Sequence, residues 1–284
     1  MARRYARYAA VACLVGAMGW LYGHVLAKLV HDWATDGNYS HGFLVPPVAG
    51  YFAWERRARL ASLRLEPSFW GLCIVAGSLA VLVLGTLGAE LFLTRISLIG
   101  LLAGAIVFTA GWRHLRTLAF PLVCLVLMIP IPAIVFNQIA FPLQLIASQF
   151  GAGVLSAAGI PVLREGNVIV LANTSLEVAE ACSGIRSLVS LLTIGLILGY
   201  FSSPSTWVRA VVTLGTIPIA IFTNALRVAG TGIAAHFYGP RAAEGFFHTF
   251  SGWLVFLVAL LLVWLLERAC HGLEQTTPQP SMAW

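Results

Sequence analysis

The chain has 284 residues, 59% of them hydrophobic and 10% charged, with a mean hydropathy of +0.88. So little polar surface cannot coat a water-soluble globule of this length, and the chain reads as a polytopic membrane protein whose constant partner is the lipid bilayer. The net charge of +6 does not point to nucleic acid, because the arginines stand in short clusters between apolar runs, a topogenic pattern.

From the N-terminus, Arg3, Arg4 and Arg7 precede an apolar stretch without a small-residue cleavage site, which reads as an uncleaved first span. A helix needs about 20 apolar residues to cross the hydrocarbon core. Runs of roughly that length predict eight transmembrane helices, at residues 8–28, 42–54, 69–89, 96–112, 117–136, 187–201, 209–226 and 249–266. The second is short and holds Pro46 and Pro47. Residues 137–157 are apolar enough for a ninth span, but Asn137, Gln144 and Ser148 recur at helical spacing with Gln149 beside them. That stripe suits an amphipathic helix on the surface or lining a cavity.

After it, Ile160–Leu163 and Val168–Leu171 flank Arg164-Glu165-Gly166-Asn167, which predicts a small β-hairpin at the membrane surface. The expected fold is all-α and polytopic, one transmembrane domain over 1–273 with a disordered tail at 274–284.

With eight spans and an interior N-terminus, Arg3, Arg4, Arg7, Arg56, Arg57, Arg59, Arg64, Arg113, Arg116, Arg209 and Arg268 lie inside, eleven of the 17 basic residues. A ninth span would flip everything after it and raise the inside count to thirteen. Either way, Cys182, Arg227 and His248 follow the disputed segment and share one face.

The five cysteines, Cys13, Cys73, Cys124, Cys182 and Cys270, are odd in number and scattered, so no disulfide framework is implied. Cys13, Cys73 and Cys124 read as packing residues within spans. Cys182 differs, because Glu180-Ala-Cys-Ser-Gly-Ile-Arg186 sits where an apolar helix begins. There the helix dipole and a nearby arginine favour a thiolate, while Ser183 and Gly184 leave room for a substrate backbone. Arg227 ends the next run in Asn224-Ala-Leu-Arg227, and an arginine near hydrocarbon costs about 2.5 kcal/mol at the bilayer centre. It is either a snorkelling anchor, with Asn224 as interhelical glue, or an oxyanion stabiliser, a role for which Arg186 competes.

His248 begins the following run beside aromatic residues. It is either an interfacial histidine or the general base and acid for Cys182, with His236 a weaker rival. Asp36, Tyr39 and His41 form a polar cluster expected on the same outer face, where they would shape a substrate groove. With His31 and Asp32 they lack any familiar metal-ligand spacing, so neither metal nor cofactor is expected. Glu177 and Glu180 would orient an arginine, recognise substrate or simply meet water.

The string Leu176–Leu188 around Cys182, then Asn224-Ala-Leu-Arg-Val228, then His248 with Gly252 four residues on, resembles the exosortase family, as does Trp33–Pro46. The resemblance implies a multi-spanning cysteine protease or transpeptidase of the bacterial cytoplasmic membrane, its active site facing the exterior, with Cys182, Arg227 and His248 as the catalytic set. Its implied partners are exported proteins ending in a sorting signal: a Pro-Glu-Pro-like motif, a transmembrane helix and a basic tail. The competing expectation is a non-catalytic transporter or channel for an anionic or glycan substrate, lined by Glu180, Asn224 and Arg227.

Overall fold

The computed structural model describes residues 2–172, 174–178, 184–202, 205–239 and 245–276, with side chains described for 16–172, 174–178, 184–202, 205–239 and 250–273. It confirms an all-α polytopic architecture with one small sheet, and the chain divides into two compact units, Met1–Pro132 and Ala133–Trp284.

The first unit contains α1 (Ala2–Thr35), α2 (Val45–Glu55), α3 (Arg57–Ser62), α4 (Trp70–Leu87), α5 (Leu91–Thr109) and α6 (Trp112–Cys124). Its closest packing is the α4–α5 hairpin, where small residues face one another: a Cβ on Gly71 would strike the Phe108 backbone at 2.2 Å, and one on Gly104 the Val75 backbone at 2.8 Å. Apolar association has little driving force in lipid, so close backbone approach through small residues is what holds such a pair. Arg95, 2% exposed in the second turn of α5, is paired with Asp32 of α1, which also accepts Lys28 at 3.6 Å.

The second unit contains α7 (Ala133–Ala157), a sheet of β1 (Val162–Glu165), β2 (Val168–Leu171) and β3 (Ser175–Glu177), then α8 (Ile185–Ser202), α9 (Thr206–Tyr238) and α10 (Gly245–Thr276). Helix α9 is its axis, packing against α7, α8 and α10. The sheet is antiparallel in the order β1-β2-β3, with Glu165 opposite Val168 and Val168 opposite Glu177. Gly166 takes φ +64 in the first place of the two-residue β1–β2 loop, a conformation that favours glycine there. Ile169, Leu171 and Val178 join Ala147 and Leu155 of α7 and Val228 and Ala235 of α9 in one core, so the sheet is seated on two helices.

Three expectations are corrected. Among the described residues six helices, not eight, are long and apolar enough to cross a membrane: α4, α5, α7, α8, α9 and the Phe250–Leu273 part of α10; the span expected at 8–28 falls in α1, and its residues 8–15 lie outside the residues with described side chains. Residues 42–54 form only the 11-residue α2, with Pro46 and Pro47 in its first turn where proline starts a helix, and its length of about 16 Å is half the hydrocarbon thickness. Residues 117–136 are broken: α6 begins at Trp112, tightens into a 3-10 turn at Leu125–Met128 and stops before Pro130 and Pro132.

Residues 137–157 belong to the 25-residue α7, long enough to span, because Gln144 and Ser148 are buried by the hairpin instead of facing water. The eight-span parity therefore no longer fixes which face carries Cys182. Along their apolar windows the six candidate spans bury 17–39% of their residues, and the rest keep some apolar surface accessible, as helices set in a bilayer do.

Two helix boundaries also moved, at the ends of α9 and α10, and one strand was added. Helix α9 runs three turns beyond Arg227, because Val228, Ala229 and Ala235 continue its buried face. The hairpin gained a third strand, β3. Helix α10 continues through Thr276, and residues 277–284 lie outside the described residues.

Candidate functional site

The second unit gathers several of the sequence-predicted residues around α9. Asn224 and Arg227 stand three residues apart, on one face of that helix. Asn224 is 4% exposed and presses on Gly184: a Cβ built on Gly184 would lie 2.7 Å from Asn224 Cγ and 2.9 Å from its Nδ2. Gly184 also has φ +79, so both its backbone and its neighbour require glycine. The residue two positions past Cys182 is thus held against Asn224.

One turn along α9, Arg227 is half-buried and reaches α10. Its guanidinium lies over Gly252, 3.2 Å from Nη2 to where a Cβ would stand and 3.3 Å from Cζ. A larger residue at 252 would displace the cation. His248 belongs to the first turn of α10, four residues before Gly252, and therefore on the same helix face as the glycine that carries the guanidinium. Its side chain, together with Glu180, Cys182 and Ser183, lies outside the described residues.

Glu177 ends β3 and is exposed, and Arg186 is exposed in the first turn of α8. His236 lies in the last turns of α9 against Phe237, ring centroids 5.0 Å apart, more than two turns past Arg227.

Asp36, Tyr39 and His41 belong to the first unit and are engaged in building it. Asp36 Oδ1 accepts the Asn38 amide at 2.8 Å, closing the turn after α1. His41 Nε2 donates to the Leu127 carbonyl at 3.1 Å, and Trp33 Nε1 donates to the Met128 carbonyl at 2.9 Å. Together they staple the end of α1 to the 3-10 turn that follows α6. Gly42 lies flat on the Trp33 indole, where a Cβ would stand 2.3 Å from Nε1. Burial lowers the His41 pKa, against the backbone hydrogen bonds with Leu127 and Asn38, which act to raise it. Burial, with the Asp36 charge adding to it, raises that of Tyr39.

Sequence reasoning missed Asn167. Its carbonyl accepts the Val178 amide at 2.9 Å, and its Nδ2 donates to the Val178 carbonyl and to Gln144 Oε1, each at 3.4 Å. The polar stripe of α7 was the available signal: Gln144 and Ser148 receive the hairpin loop.

A family model described as transmembrane exosortase matches residues 33–265. No curated protein and no solved structure matches the chain.

Proposed function

Because this chain belongs to the transmembrane exosortase family, membrane proteases and transpeptidases at family level, we propose that it cuts the C-terminal sorting signals of exported proteins with Cys182, Arg227 and His248. One observation carries the reading. Asn224 and Arg227, on one face of α9, meet Gly184 two residues past Cys182 and Gly252 one turn past His248. Two segments distant in sequence are thereby drawn to a single stretch of α9.

In the proposed reaction His248 accepts the Cys182 proton and the thiolate attacks the carbonyl carbon of the sorting motif. The carbonyl oxygen gains negative charge, which the Arg227 guanidinium stabilises. Collapse breaks the C–N bond. The departing amine takes the proton from the His248 imidazolium and leaves a thioester on Cys182. An amine or a water then attacks that thioester, His248 removes its proton, and the Cys182 sulfur departs to be reprotonated. No metal or cofactor enters. The substrate's own transmembrane helix would bring the motif to this depth from within the bilayer, the site opening to the exterior of the bacterial cytoplasmic membrane. Glu177, Glu180 and Ser183 would line the approach.

Alkylation tests the thiol directly. Iodoacetamide at pH 7 is expected to modify Cys182 at least about tenfold faster than Cys270, as an activated thiolate should react, and His248→Ala should remove most of that difference. Equal rates at the two cysteines, untouched by the histidine substitution, would leave the chain without an activated nucleophile and favour the transporter reading.

A further inference from the structure

We propose that Asn167 is a positioning residue for Cys182, acting from the β-hairpin through Val178; the inference rests on the cysteine chemistry above. Cys182 stands in the stretch Val178–Gly184, and both ends of that stretch are held. Gly184 is pressed on Asn224. At the other end Val178, 2% exposed, is fixed by three contacts with different origins.

Its amide donates to the Asn167 carbonyl at 2.9 Å, its carbonyl accepts from Asn167 Nδ2 at 3.4 Å, and its side chain belongs to the core that includes Val228, the neighbour of Arg227. The carbonyl of Val178 is thus held by a side chain where a regular ladder would use the main chain. The bond therefore depends on the side chain at position 167 and not on the main chain alone.

Asn167 is itself anchored to a membrane-length helix. Ser148, fully buried in α7, donates to the Gly166 carbonyl at 2.9 Å, and Gln144, 7% exposed one turn earlier, accepts from Asn167 Nδ2. Buried polar side chains in such a helix are costly unless bonded. Here their bonding capacity is used to fix the loop. A line of contacts thus runs from α7 through Ser148 and Gln144 to the hairpin loop, and through Asn167 to Val178, four positions before Cys182 in the sequence. Attack on a carbonyl needs the nucleophile in near-attack geometry, which is better set by supports on both sides of it in the chain than by one.

Asn167→Ala keeps the main-chain bond from the Val178 amide and removes only the two side-chain bonds, so the fold should survive. Full-length protein in membranes, assayed with a sorting-signal reporter, is expected to lose about 10- to 100-fold in kcat, as small misplacements of reacting groups do, with KM within about threefold. Gln144→Leu should act in the same direction, and the double variant should be no worse than the more damaging single one, because both cut the same line. Melting temperature and alkylation of Cys182 are measured alongside.

A kcat that stays at the parent value while Cys182→Ala is inactive overturns the positioning role and leaves the catalytic reading intact. Full activity in Cys182→Ala overturns that reading itself. A loss of activity that parallels a loss of folded protein, or a rise in KM at unchanged kcat, assigns Asn167 to stability or substrate binding and also overturns the proposal.

Discussion

Replacing Cys182 with alanine is expected to lower processing of a sorting-signal reporter by at least about a thousandfold, the scale on which removing a covalent nucleophile acts. The same change at Cys270 should leave the rate within about twofold, because Cys270 lies in the α8–α9–α10 packing cluster, away from Gly184 and Gly252. Cys182→Ser is expected to be nearly as damaging as alanine, since a hydroxyl with an ordinary pKa gains little from a site arranged for a thiolate. Reporter cleavage followed by immunoblot, with protein level as the control, gives the result.

The second large effect is at Arg227. Arg227→Lys is expected to cost about 100-fold in kcat, and Arg227→Leu about as much or more, the range seen when one oxyanion-stabilising donor is removed. Lysine keeps the charge but lacks the planar fork, and it is a poorer match for a position set by contact with Gly252. Gly252→Leu should reproduce the loss without touching the arginine, because its side chain would occupy the space the guanidinium fills. Parallel substitution of Arg186, exposed at the start of α8, decides between the two cations: the one whose loss removes kcat is the stabiliser. Full activity in Arg227→Leu would transfer the role away from α9.

The membrane-helix architecture and the small hairpin were legible because their signals are local. Length and apolarity define α4, α5, α8 and α10 within one stretch of chain each, and the Glu-Gly-Asn sequence between two β-branched runs defines the hairpin. What failed depended on contacts between distant segments. The polar stripe of α7 reads as a surface or cavity-lining face because the sequence does not show that Gly166 and Asn167 fold back onto Gln144 and Ser148.

The end of α9 was set at Arg227 because a charge usually closes a span. Yet the cation reaches sideways to Gly252 and the helix continues on its small buried residues. Strand β3 is three residues long, and its pairing with β2 has no local signature. Within the first unit, Asp36, Tyr39 and His41 drew attention as polar residues beside a span. Asp36 closes the turn after α1, and His41 ties the Ser40–Phe43 turn to the 3-10 turn after α6.

The decisive measurement is the mass of the protein quenched in acid during turnover of a sorting-signal peptide. The account predicts an adduct of the mass of that peptide's N-terminal fragment less one water, located on Cys182 by proteolysis and released by hydroxylamine as a thioester must be. Continued cleavage of the peptide with no adduct on Cys182, and with no hydroxamate formed when hydroxylamine is present, would contradict it.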